Sequence, residues 1–324
     1  MSESQHWAFP ENLQPRQDEL RFDLDSALDA VVQLHATIPD DAFTASILGT
    51  ERTGNGVVIG DDGLVLTIGY LITEASQIWL TTNGGDALAG YPIAYDQATG
   101  FGLVQPLGRL GLPAIQRGSA SATALGEDVI VIGHGGREHA LKTKIFAKRE
   151  FAGYWEYLLD EAVFTAPAHP QWGGAAVVAK DGRLIGIGSL LAEEISEGQQ
   201  TQGNMIVPID LLEPILDDML KFGRPNRPPR PWLGMYAAQT GTQIVVGGLA
   251  RDGPAQRAGI RQGDLVLEIA GKRVASLADM FRAIWAIGAA GTEIPMTLAR
   301  NGSQLSVRAR SVDRGDMLKK PSLH

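Results

Sequence analysis

Short apolar runs rich in Val, Ile and Leu recur along the middle of the chain at intervals of roughly ten residues, parted by Gly and Asp. They predict strands at 56–59, 64–68, 77–81, 89–95, 102–106, 128–132, 142–150, 162–165, 175–178, 184–189 and 205–208. Turns such as Asp61-Asp62-Gly63 and Asp181-Gly182 join some of them as hairpins. So many short strands with no helices between them predict a barrel or sandwich. Ahead of them, Leu24, Leu28, Val31 and Val32 fall at helical spacing while 31–37 alternates like a strand, so a short helix running into a first strand is expected. Behind them, 210–222 reads as a closing helix, with Leu211, Leu212, Ile215, Met219 and Leu220 on one face and Gly223 ending it.

Residues 224–231, Arg-Pro-Asn-Arg-Pro-Pro-Arg-Pro, cannot continue a helix and favour an extended linker. A second unit follows. Strands are expected at 243–249, 264–269, 293–298 and 305–310, with a helical turn at 254–259. Ser276 N-caps a helix through Ile287 whose apolar positions include Leu277, Met280, Phe281 and Ile284. The expected organisation is an N-terminal arm (1–21), a β-rich domain (22–223), the linker (224–231), a second domain (232–313) and a tail (314–324). The arm and the tail read as loose, with Trp7 and Phe9 the arm's contact candidates.

Composition narrows the classes. A chain of 324 residues suits two domains, each burying its own core. The net charge of −9, from 37 acidic against 28 basic residues, argues against nucleic acid or an anionic membrane as the main partner. Zero cysteines exclude disulfides, thiolate metal sites and a cysteine nucleophile. No window approaches the roughly 20 apolar residues of a membrane span. Residues 1–21 lack the apolar run of a signal peptide, so a cytoplasmic protein is expected.

Two stretches resemble known families. Asp252-Gly-Pro-Ala-Gln-Arg-Ala-Gly-Ile-Arg-Gln-Gly-Asp-Leu-Val-Leu-Glu-Ile-Ala270, with Gly271-Lys272, resembles a PDZ domain. The resemblance implies that backbone N–H groups of Trp232-Leu233-Gly234-Met235 hold a peptide carboxylate, that Met280 and Ile284 flank the groove, and that the bound peptide adds a strand. The stretch from Thr53-Gly54-Asn55-Gly56-Val57-Val58-Ile59 through Asp62-Gly63-Leu64-Val65-Leu66-Thr67, with Gly186-Ile187-Gly188 and Asn204-Met205-Ile206-Val207-Pro208, is similar to HtrA-type trypsin-like proteases. Together these imply a mostly β chain: a chymotrypsin/trypsin-like double β-barrel followed by a C-terminal α+β PDZ domain. The resemblance also implies homo-oligomers, commonly trimers.

The chemistry of that protease family needs a hydroxyl nucleophile, an imidazole base and a carboxylate that orients it. Where the family has Leu-Thr-x-x-His-Val-Val, this chain has Leu66-Thr67-Ile68-Gly69-Tyr70-Leu71-Ile72, with Tyr70 at the base. A phenol with a pKa near 10 is a poor base at neutral pH. At the orienting carboxylate stands Gly100, in Asp96-Gln97-Ala98-Thr99-Gly100-Phe101. Where the family has Asn-Pro-Gly-Asn-Ser-Gly-Gly-Pro, this chain has His169-Pro170-Gln171-Trp172-Gly173-Gly174-Ala175-Ala176, which puts Gly173 at the nucleophile.

The expected function is therefore that of a catalytically inactive pseudoprotease, not an enzyme, binding peptides or protein C-termini as an adaptor through its PDZ domain without a cofactor. Two alternatives stand beside it. One is an active serine endopeptidase, if the motifs are misaligned or if His169 with Ser189, the best remaining serine, forms a rewired pair. The other is a metal-dependent enzyme using the region of His134 and His139, with Glu138 the sole carboxylate between them.

Overall fold

A computed structural model describes residues 7–196 and 199–320. The segment opens with 3₁₀ turns at Glu11–Leu13 and Gln17–Glu19, so the arm is shaped rather than loose. Phe9 N–H donates to the Glu138 carbonyl (3.0 Å), and Trp7 and Phe9 lie against the rings of His139 and His169. Residues 1–6 and 321–324, the ends of the expected arm and tail, lie outside the described residues.

The predicted helix and first strand follow as α1 (Leu24–Asp29), capped by Asp23 accepting from Ser26 N–H (3.3 Å), and β1 (Val31–Thr37). A short helix, α2 (Ala45–Leu48), precedes β2 (Glu51–Val58). After β3 (Val65–Ile68), β4 (Gln77–Thr81), β5 (Ala87–Tyr95) and β6 (Phe101–Pro106), the sheet closes on itself in the order β1-β2-β3-β6-β5-β4. Alternation accounts for the closure: in β1, Leu34 and Ala36 point inward and are fully buried, while Gln33 and His35 face outward. Each inward Leu or Ile contributes about 1.5–3 kcal/mol by leaving water.

A second closed barrel, in the order β10-β11-β12-β9-β8-β7, is built from β7 (Asp128–Ile132), β8 (Ala140–Gly153), β9 (Tyr157–Ala166), β10 (Ala176–Val178), β11 (Leu184–Ser196) and β12 (Gln199–Pro208). Val129, Val131, Ile145, Val163, Val177, Ile185 and Ile206 form its core. The expected closing helix is shorter than 210–222. A 3₁₀ turn (Ile209–Leu211) comes first, and α3 spans Leu216–Phe222. Pro214 is the reason, because its ring excludes a continuous helix through that point.

The chain divides into two compact units, and the division is not a single cut. The second unit contains Arg227–Lys319 and also Glu150–Asp160, the tip of the β8–β9 hairpin. It holds β13 (Met235–Thr240), β14 (Gln243–Leu249), α4 (Pro254–Arg257), β15 (Leu265–Ile269), β16 (Lys272–Arg273), α5 (Leu277–Trp285), β17 (Glu293–Arg300) and β18 (Ser303–Arg310). The strands form one sheet in the order β13-β14-β15-β17-β18, with β16 on β15. Ser276 caps α5 by accepting from Asp279 N–H (3.0 Å), and the helix buries Leu277, Met280, Phe281 and Ile284. Val312, at the end of the expected second domain, bridges Trp232, and within the tail expected to be loose a 3₁₀ turn forms at Arg314–Met317.

Candidate functional site

In the first unit, strand β3 runs straight into a 3₁₀ turn, Gly69–Leu71, which delivers Tyr70 to the loop between β9 and β10. The Tyr70 hydroxyl donates to the Ser189 carbonyl (2.9 Å). Burial raises its pKa above the ordinary phenol value, so it stays protonated across the working range of pH. Gly100 stands behind this turn, its carbonyl accepting from Gly69 N–H (2.6 Å). On the other side a Cβ at Gly173 would sit 2.8 Å from the Tyr70 hydroxyl. The structure thus brings Tyr70, Gly100 and Gly173 into one place, and the phenol fills the space in front of Gly173.

The loop that carries Gly173 is strapped by Asn55 on β2. Its side-chain amide donates to the carbonyls of Gln171 (2.8 Å) and Gly173 (3.1 Å), its Oδ1 accepts from His134 N–H (2.8 Å), and its own N–H donates to Gly173 (2.8 Å). The next residue must be glycine. Gly174 has φ +76, and a Cβ there would lie 1.9 Å from the Asn55 carbonyl. The loop's N–H groups are already engaged at several points: Gln171 N–H on His169 Nδ1 (3.0 Å), Gly174 N–H on Gly188 and Ala175 N–H on Trp172.

His169 is a structural hub. Its Nδ1 accepts from Gln171, so Nε2 carries the proton and donates to the His139 carbonyl (2.9 Å). Burial holds its pKa down to about 4. With both nitrogens occupied, no lone pair remains to activate Ser189, and the Ser189 atom near Tyr70 is its carbonyl oxygen. His134 Nε2 meets the Thr82 carbonyl (3.2 Å), and His139 packs on Trp7 (4.3 Å between ring centres). Among the described residues no three His, Asp or Glu side chains are grouped to hold a metal.

The second unit has its own polar focus. Leu233 N–H donates to both carboxylate oxygens of Glu156 (3.2 and 3.1 Å), and Met235 N–H donates to Oε1 (2.9 Å). Gly234 N–H also faces this carboxylate. Burial pushes the Glu156 carboxyl up to about 7, against the lowering effect of the amides and of Arg314. Trp232 is buried and pairs with Val312 through both backbone groups (3.0 and 3.1 Å). Met280 and Ile284 lie on the buried face of α5, in one apolar cluster with Leu233 and Met235.

Asn55 and Glu156 did not stand out in the sequence. The available signals were a lone polar residue inside Gly54–Val58 and a lone carboxylate inside the aromatic run Tyr154-Trp155-Glu156-Tyr157.

These features define the class. Residues 54–187 match the trypsin-like peptidase domain family and residues 231–310 the PDZ domain family, so the chain joins a trypsin-like double barrel to a PDZ domain. Its homologues include the serine endoprotease DegS of Escherichia coli, 26% identical over 271 residues, covering 79% of this chain and 75% of DegS. Another is the "Probable periplasmic serine endoprotease DegP-like" of Halomonas elongata, 24% identical over 279 residues; the match covers 82% of this chain but only 57% of that protein's length. Among solved structures, the HtrA-type protease AlgW with decapeptide shares the fold at 20% identity, with a TM-score of 0.54 over 93% of this chain and all of that one. These comparisons correct one expectation. The homologues are named serine endoproteases, which points to an enzyme, against the expectation that the chain is not one. No helix of the described residues is long and apolar enough to cross a membrane.

Proposed function

We propose that this chain is an HtrA-type protein that recognises peptides or protein C-termini through its PDZ domain, as an adaptor or scaffold. Leu233, Gly234 and Met235 supply the carboxylate-binding amides, Trp232 fixes the start of their loop, and Met280 and Ile284 flank the groove. One observation carries the reading: the amides of Leu233 and Met235 converge on a carboxylate at 2.9–3.2 Å. We further propose that Tyr70, Gly100 and Gly173 occupy the triad positions and supply no nucleophile, base or orienting carboxylate.

The names of the homologues favour a second reading, in which the chain cuts peptide bonds. It requires a nucleophile outside those three positions. Anisotropy titrations with labelled C-terminal peptides, run beside a casein digest, separate the two. Recognition predicts binding that weakens about tenfold or more when the peptide is amidated, because hydrogen bonds to a charged group are worth roughly 1.5–3 kcal/mol. Binding indifferent to amidation overturns it, and casein cleavage that survives repurification and Gly173→Ala establishes the second reading. Light scattering on the same sample checks the trimer that the resemblance implies. The DegP-like relatives are named periplasmic, against the cytoplasmic expectation for this chain, and cell fractionation decides between the two compartments.

A further inference from the structure

The carboxylate held by the PDZ loop belongs to the chain itself. It comes from the tip of the β8–β9 hairpin, which the compact second unit includes as Glu150–Asp160. Glu156 sits at φ +60, and its side chain accepts from the amides of Leu233 and Met235. Two residues back, the Tyr154 carbonyl accepts from Ala237 N–H (3.1 Å), two residues along β13 from Met235. A step forward on β13 is matched by a step back on the hairpin, which is the register of an added antiparallel strand.

The other contacts repeat that arrangement. Leu158 is buried in the apolar cluster of Leu233, Met235, Met280 and Ile284. From α5, Arg282 reaches both legs of the hairpin, meeting Glu150 at 2.6 Å and Asp160 at 2.5 Å. These ion pairs are largely exposed, so they steer the hairpin more than they hold it. The buried Glu156 carboxyl holds it, because its oxygens accept from loop amides that burial would otherwise leave unpaired.

We propose that residues 154–158 are a resident ligand of the PDZ groove, in which the Glu156 side chain takes the place of a C-terminal carboxylate, and that a peptide with a free C-terminus binds by displacing it. The displacing partner is a peptide or protein ending in an aliphatic residue, since Leu158 is the side chain that fills the apolar cluster. The displacement half of the proposal rests on the peptide-binding function above; the resident-ligand half does not.

Hydrogen exchange on the full chain tests the resident ligand. Glu156→Asn suits the left-handed backbone but is too short to span the loop. It is expected to speed exchange at 233–237 by about tenfold or more, through loss of the hydrogen bonds that the side chain accepts from the loop amides. Arg282→Ala is expected to produce a smaller rise at 150–160. If Glu156→Asn does not fold, Glu156→Gly, which tolerates the left-handed backbone and removes the acceptor oxygens, is read in the same way. Unchanged exchange at 233–237 in a folded variant overturns the resident ligand.

Titration with peptides ending in a free Leu carboxylate tests displacement. Tighter binding by the Glu156 variant than by the native chain, by about tenfold, supports it, and equal affinity overturns it. Faster exchange with no peptide bound by either protein keeps the resident ligand, overturns displacement and also removes the peptide-binding function.

Discussion

A side chain at position 173 would begin 2.8 Å from the Tyr70 hydroxyl, so the two positions compete for one volume. Gly173→Ser is expected to destabilise the chain by about 1–3 kcal/mol in urea melts, since the phenol must leave its bond to Ser189. Combined with Tyr70→Ala, the serine should cost at least about 1 kcal/mol less than it does alone. Strict additivity would show that the two positions do not share space. Asn55 makes the second residue-scale prediction. It is buried and joins β2 to the carbonyls of Gln171 and Gly173, and Asn55→Ala strands those acceptors, at about 2–4 kcal/mol by the same melts. Tyr70 and Gly173 stand in two separate motifs, and their contact was not legible in the sequence, because it joins residues far apart in the chain. The role of His169 was equally hidden, since its neutrality comes from burial among Trp7, Phe9 and the His139 carbonyl.

Among elements, those with strong alternation were legible. β4, β7 and α5 fall where Val, Ile and Leu spacing places them, and the helix N-cap at Ser276 is an ordinary local signal. β13 was not expected as a strand, because Met235-Tyr-Ala-Ala-Gln-Thr240 contains few β-branched residues and is held by pairing with β14. The extended β8–β9 hairpin was read as two shorter strands for a related reason: its tip, residues 150–160, packs against residues some 80 positions away. This element makes a pH prediction. Facing the Glu156 carboxyl are the loop amides, Arg314 and the phenol of Tyr236. Because its pKa rises from 4.5 to about 7 on burial, the docked hairpin binds the proton more tightly than the released one. Its hold is complete below about pH 4.5 and weakens as pH climbs to about 7, by on the order of 3 kcal/mol. Exchange at 233–237, corrected for the intrinsic rate, should be slower at pH 5 than at pH 8. The reverse order would mean that the carboxylate form is the one the loop prefers.

At the scale of the molecule, the double barrel and the PDZ domain were both visible in the sequence, through strand spacing and the run Asp252–Ala270. The sharing of the hairpin tip with the second unit was not. The whole-molecule claim is that recognition takes place at the PDZ loop rather than at the Gly173 loop of the trypsin-like domain. The most direct measurement is an amide correlation spectrum of the isotope-labelled full chain, titrated with a peptide ending in a free aliphatic carboxylate and with its amidated twin. The account predicts that the free-carboxylate peptide alone moves the resonances of Leu233, Gly234, Met235 and Ala237, together with those of the released Tyr154–Leu158. Shifts confined to Gln171–Ala175 and Tyr70, or identical responses to the two peptides, would contradict it.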